Sequence, residues 1–248
     1  MNESPLFSIV TITYNAGATV GRTLESIARQ DFRDYEHIVV DGASCDATLQ
    51  IVDAAAGSDH RRVISEPDEG LYDAMNKGLK AAKGDYLIFL NAGDKFHSHD
   101  TLSAIARTIR EYGRPGVVYG QTVLVDDEGR FIGPRHLSAP ACLRFEDFAK
   151  GMLVCHQAFV ARRDITPEYN THWRFSADYE WCLRCLAASE SNVDTGEVLI
   201  DYLSEGLTTA NRRKSLIERY KIMCKYYGTI PTTLRHLGFA LRFLKNKK

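Results

Sequence analysis

Residues 86–94 read YLIFLNAGD. Tyr86 to Leu90 form an unbroken apolar and aromatic run, which needs cover on both faces and so predicts a central strand wrapped by helices. Polarity then changes abruptly at Asn91-Ala92-Gly93-Asp94. Ligands of open α/β sheets gather outside the carboxyl ends of their strands. The tetrad is therefore either a simple turn or a ligand corner that carries one acid.

Working outward, strand and helix signals alternate. Phe7–Tyr14 is β-rich and stops at Asn15-Ala16-Gly17, a turn signal. Val20, Leu24 and Ile27 then recur at helical spacing. His37–Asp41 is a second short strand, followed by Gly42-Ala43-Ser44 and a helix through Ala56 with Asp46 as its expected N-cap. Val63–Glu66 is a third strand. Leu71, Met75, Leu79 and Ala82 mark a helix ending at Gly84, and Thr101–Tyr112 is helical after the quoted strand. Alternation at this spacing implies right-handed βαβ units and a mostly parallel central sheet with helices on both faces. Beyond Gly116 the pattern changes to strands at Val117–Gly120 and Thr122–Val125 around a hairpin at Asp126–Gly129, mixed short elements over 141–165, and a helix over Phe175–Leu186. The expected organisation is an α/β domain over 1–210 and a basic helical C-terminal extension over 211–248.

Composition sets limits. The chain has 248 residues, 44% hydrophobic and 25% charged, in the range of globular domains. No stretch approaches 18 apolar residues, and the N-terminus lacks a basic segment leading into an apolar run. The six cysteines (Cys45, Cys142, Cys155, Cys182, Cys185, Cys224) have no framework spacing, which leads to the expectation of reduced thiols in a cytoplasmic protein. The net charge of −1 hides an asymmetry: residues 211–248 hold eleven Lys or Arg and the single acid Glu218, leaving −11 on residues 1–210. An acidic body offers no face to nucleic acid, whereas the basic tail suits an anionic surface.

The acids of interest fall at predicted strand ends. Asp41 closes the second strand, Glu66-Pro67-Asp68-Glu69 follows the third, and Asp94 follows the fourth. Each alone is readable as a turn or cap residue. In a parallel sheet, however, they converge on one rim.

Phe7–Tyr14, HIVVDGASCDAT (37–48) and SEPDEGLYDAMNKGLKAAKGDYLIFLNAGD (65–94) resemble the nucleotide-binding half of a family 2, GT-A-fold glycosyltransferase. The similarity spans about residues 6–210 and is most specific from Glu66 to Asp94. It extends to bacterial enzymes that build surface polysaccharides, including the colanic-acid type. The resemblance implies a Rossmann-like GT-A domain and inverting transfer from a nucleotide-diphosphate sugar to a glycan or polyprenyl-diphosphate-linked acceptor, with Mg²⁺ or Mn²⁺. It implies that Asp41 meets the nucleobase, that Thr13, Tyr14, Asn15 and Ala16 bracket base and ribose, and that Asp68 and Lys77 lie along the nucleotide. An ordinary solvated helix lysine is the other reading of Lys77.

The family's metal motif is commonly Asp-x-Asp-Asp. Here Asn91, Ala92, Gly93 and Asp94 stand in its place, so Asp94 alone supplies a charged ligand and Asn91 an amide oxygen. One carboxylate suffices for Mg²⁺ when substrate phosphates complete the shell. Inversion needs a single general base rather than a protein nucleophile. In FSADYEWCLR (175–184) the resemblance makes Asp178 that base, with Glu180 a second choice; a first-turn acid favoured by the helix dipole is the alternative for Asp178. Met152–Gln157, with His156-Gln157 before a strand at Ala158–Ala161, resembles the family's His-Gln stretch lining the donor-sugar or acceptor side; a packed core histidine is the other reading of His156. Glu205–Thr209 resembles a loop closing over the diphosphate, with Arg212 or Arg213 reaching a phosphate.

Leu216, Ile217, Tyr220, Ile222, Met223 and Tyr226 among basic residues, then Leu234, Leu237, Phe239, Leu241, Phe243 and Leu244, predict a basic amphipathic tail. It would lie on the inner leaflet of the plasma membrane or pack on the body. A dinucleotide oxidoreductase would need G-x-G-x-x-G after the first strand, and the chain has NAGATVG there. A catalytically weak nucleotide-sugar- or carbohydrate-binding protein of the same fold is the remaining alternative.

Overall fold

The computed structural model describes residues 4–204 and 211–245. The N-terminal half follows the expected alternation: β1 (Phe7–Thr13), α1 (Val20–Ala28), β2 (Tyr35–Asp41), α2 (Thr48–Ala54), β3 (Arg61–Ser65), α3 (Leu71–Ala81) and β4 (Tyr86–Phe89). β5 (Lys95–Phe96), α4 (Thr101–Glu111), β6 (Val117–Val125), β7 (Phe131–Pro134), β8 (Phe159–Arg162), α5 (Ala177–Ala188) and β9 (Asn192–Leu203) follow. Two helices close the chain, α6 (Arg212–Tyr227) and α7 (Thr229–Lys245).

One mixed sheet runs β3-β2-β1-β4-β8-β6-β9-β5, with β7 on β6. The β3-β2-β1-β4 half is parallel throughout. Beyond it β8 runs antiparallel to both β4 and β6, β9 is parallel to β6, and β5 is antiparallel to β9. The parallel character thus belongs to the first half, where helical crossovers link the strands.

Every residue of β1 is buried, as a strand covered on both faces requires. Two of its polar side chains find cross-strand partners: Ser8 donates to Glu36 (2.7 Å) and Thr11 pairs with His37 Nε2 (3.0 Å); Thr13 Oγ1, at the rim, is buried with no hydrogen-bond partner among the described residues. Burial, with Arg61 a lesser cause, pushes His37 down to a pKa of about 3, so it sits neutral in the sheet. On α3, a Cβ added at Gly78 would come within 2.3 Å of Val10 Cγ1. That glycine lets the helix approach the central strand closely.

Register sets the rim. Thr13 pairs with Asp41 and Asp41 with Ser65, so three strands end level. The next loop is tied to β1 by Leu90 N–H to Val10 O (2.9 Å) and Ala92 N–H to Ile12 O (3.1 Å). Asp46 lies two residues before the first residue of α2, not at its N-cap, Ala47. Its carboxylate still accepts from Thr48 N (2.9 Å) and also from Gly17 N (3.0 Å), so it joins the loops after β1 and β2.

Two expectations for the second half change. Val117–Gly120 and Thr122–Val125 are one strand, irregular in register around Gln121, and its hairpin leads to β7. β9 is twelve residues long, and its polar start and Gly196 (φ 73°) conceal it in the sequence. All six cysteines are unpaired, with Cys182 and Cys185 buried in the core face of α5.

The tail packs on the body along one face of α6. Ile222 and Met223 are buried, Lys225 Nζ and Tyr226 Oη both donate to the buried Glu180 (2.7 and 3.1 Å), and Ser215 meets Ser176 (3.0 Å). Leu216 and Ile217 on α6 and Ile230, Leu234 and Leu237 on α7 remain exposed. The side chains from Phe239 onward, and Arg212, lie outside what is described. No helix among the described residues is long and apolar enough to cross a membrane.

Candidate active site

At the carboxyl ends of the parallel strands lies a cleft of about 830 Å³. The loop after β1 supplies Thr13, Tyr14 and Ala16, the loop after β2 supplies Gly42, and Pro67 to Asp73 form a further wall. Tyr14 is 64% exposed, an aromatic face turned to the opening. Asp68 caps its own loop by accepting from Gly70 N (2.9 Å). Asp41 is fully buried and does not line the cleft; it accepts from Ser44 N (2.9 Å) and Ser65 Oγ (2.8 Å), fixing the turn that presents Gly42. Asn15 likewise serves the loop, its Oδ1 accepting from Cys45 N (3.0 Å). Lys77 lies off the cleft and braces its wall, donating to Pro67 O (2.7 Å) and pairing with Glu66 (3.1 Å).

The opposite wall is the turn after β4. Asn91, Ala92 and Asp94 line it. Thr23 of α1 sets the turn, accepting from Gly93 N (2.9 Å) and donating to Asp94 O (2.6 Å). Gly93 has φ 103°, and a Cβ there would also strike Leu203 at 2.8 Å, so both backbone and space favour glycine. Asp94 is 4% exposed, and burial pushes its carboxyl up to about 7. Two donors oppose that rise: Leu203 N–H on Oδ1 (3.0 Å) and Gln157 Nε2 on Oδ2 (2.7 Å). Beside it, Asn91 Oδ1 is buried with no hydrogen-bond partner among the described residues. A buried amide oxygen without a donor is costly unless a ligand meets it. A hard cation prefers oxygen donors, so Asp94 and Asn91 fit a divalent ion as a partial set. Among the described residues no three acids, histidines or cysteines cluster as a metal cage, and the remaining ligands would have to come from substrate and water.

The third wall comes from the segment leading into α5: Thr171, Arg174 and Phe175, with Tyr202 and Leu203 from the end of β9. Asp178 opens α5. Its Oδ1 accepts from Tyr72 Oη (3.0 Å) and from Tyr179 N (2.8 Å), while Oδ2 makes no hydrogen bond among the described residues. Asp178 does not itself line the cleft; Tyr72, which does, connects it. Glu180 points the other way, bound to Lys225 and Tyr226. His156 is buried against Phe89, Tyr169 and Trp181, bonded through Nε2 to Tyr169 Oη (2.7 Å), and lowered to about 4 by burial. Its neighbour Gln157 lines the cleft instead. The loop at Glu205–Thr209 lies outside the described residues.

Thus Thr13, Tyr14, Asp68, Asn91, Ala92 and Asp94 meet at one opening, while Asp41, Asn15, Lys77, Gly93 and His156 lie behind it. The sequence pointed to the His156-Gln157 stretch but did not single out Tyr72, Arg174, Phe175, Tyr202 or Leu203. Tyr72 and Phe175 sat inside quoted motifs; Tyr202 and Leu203 end a strand the pattern did not reveal.

Comparison with known proteins gives the family and the fold. Residues 8–169 match the family described as glycosyl transferase family 2. A PGL/p-HBAD biosynthesis glycosyltransferase of Mycobacterium bovis is 35% identical over 189 residues, covering 74% of this chain and 71% of that protein. Among solved structures, S. aureus TarS 1-349 in complex with UDP-GlcNAc superposes with a TM-score of 0.70 at 20% identity, over 95% of this chain and 75% of that one. The mannosyltransferase PcManGT from Pyrobaculum calidifontis, in complex with GDP-Man and Mn²⁺, gives 0.63 at 17% identity, over 89% and 64%. The fold is GT-A, and the chain belongs to glycosyl transferase family 2.

Proposed function

We propose that this glycosyltransferase transfers a sugar, with inversion, from a nucleotide-diphosphate donor to a hydroxyl of a glycan or polyprenyl-diphosphate-linked acceptor in surface-polysaccharide synthesis. The observation that carries this reading is the placement of Asp94 beside Asn91 Oδ1, which has no hydrogen-bond partner among the described residues, in the cleft that Thr13, Tyr14 and Asp68 also line. Tyr14 offers its exposed ring to the nucleobase, and Thr13 and Asp68 flank base and ribose. Asp41 and Lys77 hold the loops that make this half.

Asp94 and Asn91 would hold Mg²⁺ or Mn²⁺, which supplies neutralising charge for the departing diphosphate. Asp178 takes the proton from the acceptor hydroxyl through its open Oδ2, while Tyr72 and the Tyr179 N–H fix Oδ1. One base and no protein nucleophile suit a single displacement. The mannosyltransferase complex with Mn²⁺ supports the metal reading, and the UDP-GlcNAc complex supports the donor class. The exposed Ile230, Leu234 and Leu237 recur at i, i+4 and i+7 on α7. With the basic residues of 211–248, they support a tail that rests on the anionic cytoplasmic leaflet, near a lipid-carried acceptor.

The test is donor consumption. Purified protein is incubated with a panel of nucleotide sugars and Mg²⁺ or Mn²⁺, with and without acceptor. Release of nucleoside diphosphate from one donor supports transfer. Donor binding without release under every condition would move the protein to the catalytically weak binder.

A further inference from the structure

The cleft wall carries four acids, Asp68, Glu69, Asp73 and Asp94, and among the described lining residues one cation, Arg174. A diphosphate entering such a cleft meets mostly like charge. Arginine presents a planar fork that matches phosphate oxygens two at a time. The Arg174 side chain is exposed and makes no hydrogen bond or ion pair among the described residues.

Its backbone, by contrast, is held. Glu218 of α6 accepts the main-chain N–H of Arg174 at Oε1 (3.1 Å) and of Phe175 at Oε2 (2.8 Å). Ser176, the next residue, donates to Ser215 O (3.1 Å) one turn earlier on α6. Lys214 Nζ stands 5.6 Å from the centre of the Phe175 ring, adding a second positive group beside the segment. Glu218 is the one acid among the eleven basic residues of 211–248. A tail selected only for positive charge has no use for it; a tail that shapes the cleft does.

We propose that Glu218 is a positioning residue: by gripping the N–H groups of Arg174 and Phe175, it sets the Arg174 guanidinium at the cleft to receive a diphosphate. Helix α6 is then part of the site. This rests on the reading of the cleft as a nucleotide-diphosphate-sugar site. The diphosphate is either that of the donor nucleotide or that of a lipid-linked acceptor, since both present the same oxygens.

The experiment compares wild type with Arg174→Ala, Arg174→Lys, Glu218→Ala, Glu218→Gln and the double variant Arg174→Ala/Glu218→Ala, each checked for folding by circular dichroism and melting. Calorimetry with Mn²⁺ measures binding of UDP, GDP and the corresponding nucleosides. Steady-state kinetics measure KM for a polyprenyl-diphosphate-linked acceptor and for a simple glycoside carrying the same sugar. Loss of a bidentate charged contact predicts binding weakened about tenfold or more in Arg174→Ala. Arg174→Lys recovers part of that loss. Glu218→Ala loses less, and Glu218→Gln falls between it and wild type, because an amide offers one acceptor oxygen where two donors converge. The double variant is no worse than Arg174→Ala alone, as expected if Glu218 acts through Arg174.

A defect in nucleoside diphosphate binding with nucleoside binding unchanged assigns the contact to the donor. A raised KM for the diphosphate-linked acceptor alone assigns it to the acceptor. Either outcome supports the proposal. It is overturned if Arg174→Ala changes neither, or if the Glu218 and Arg174 losses simply add while melting falls in parallel. A wild type that binds no nucleoside diphosphate and consumes no donor instead sinks the underlying reading of the cleft, and the proposal with it.

Discussion

Tyr72 donates its hydroxyl to Oδ1 of Asp178 over 3.0 Å, joining the helix after β3 to the first turn of α5 across 106 residues of chain. Burial and the neighbouring Asp178 carboxylate drive the tyrosine far above its ordinary pKa, so it stays a donor at any working pH. With Oδ1 held twice, Oδ2 is the oxygen left for an acceptor. Asp178→Asn is expected to lower kcat by about 10²- to 10⁴-fold, the usual contribution of a general base, with donor affinity kept. Tyr72→Phe should lower kcat about tenfold or more, in line with a hydrogen bond to a charged group. Stopped-assay kinetics and donor calorimetry on both variants check this. Loss of donor binding in Asp178→Asn would remove it from the base role.

Gln157 gives a second prediction. Its amide donates to Asp94 Oδ2 while Cys155 Sγ donates to its own Oε1 (3.0 Å), which fixes the amide's orientation. Gln157→Leu frees the Asp94 carboxylate to turn within a buried corner. Mn²⁺ affinity in the presence of UDP or GDP, read by electron paramagnetic resonance, should fall about tenfold, the scale seen when a ligand's outer partner is removed. Asp94→Ala should abolish it. Unchanged Mn²⁺ affinity in both would place the ion elsewhere.

The third prediction concerns pH. His156 is held neutral by burial, with its pKa lowered from 6.5 to about 4. The unfolded chain therefore binds the extra proton between those values, and stability is full above pH 6.5 and is lost as pH falls towards 4. In His156→Gln this component is absent. The stability of wild type relative to the variant should decline on acidification through that window with a slope of up to about 1.4 kcal/mol per pH unit. Urea melts at stepped pH measure it. Parallel curves for the two proteins would mean that His156 titrates normally.

Helix α3 supplies the fourth. Alanine at Gly78 gains helix propensity of about 1 kcal/mol, but its Cβ would press to 2.3 Å from Val10 Cγ1 and 3.4 Å from Val40. Val10 is β-branched, fully buried and in the central strand, so it has little room to give. Overpacking costs about 1–3 kcal/mol and should win. Gly78→Ala is expected to lower stability by up to about 2 kcal/mol in denaturant titration. A stabilised variant would show that helix and sheet separate easily.

The parallel half of this fold was legible because its strands are short, apolar and punctuated, and the acids fell at their ends. Asp94 and Asp68 follow from that, whereas Tyr14 was singled out by the family resemblance. The other half was not, for physical reasons. β9 opens with Asn192-Val193-Asp194-Thr195-Gly196, where pairing with β6 overrides a sequence poor in strand formers. Because that strand was hidden, so were Tyr202 and Leu203 at its end. His156 illustrates the opposite case: a chemically versatile residue in a matching motif, yet the structure packs it among rings, and Gln157 takes the cleft. Glu218 stood out as the odd acid of a basic tail, but only the three-dimensional arrangement shows the two N–H groups it serves.

The decisive measurement is a melting-temperature panel of nucleotide-diphosphate sugars, each with and without Mn²⁺, on wild type and Asp94→Asn. A ligand at a hundred times its Kd stabilises the folded state by about 2.7 kcal/mol, which for a chain of this size is a rise of about 5–10 °C. The expected result is such a rise for one donor or one nucleobase class, dependent on Mn²⁺ and lost in Asp94→Asn. Flat melting curves across the whole panel, or a shift indifferent to both Mn²⁺ and Asp94, would contradict a metal-assisted nucleotide-sugar site at the end of β4.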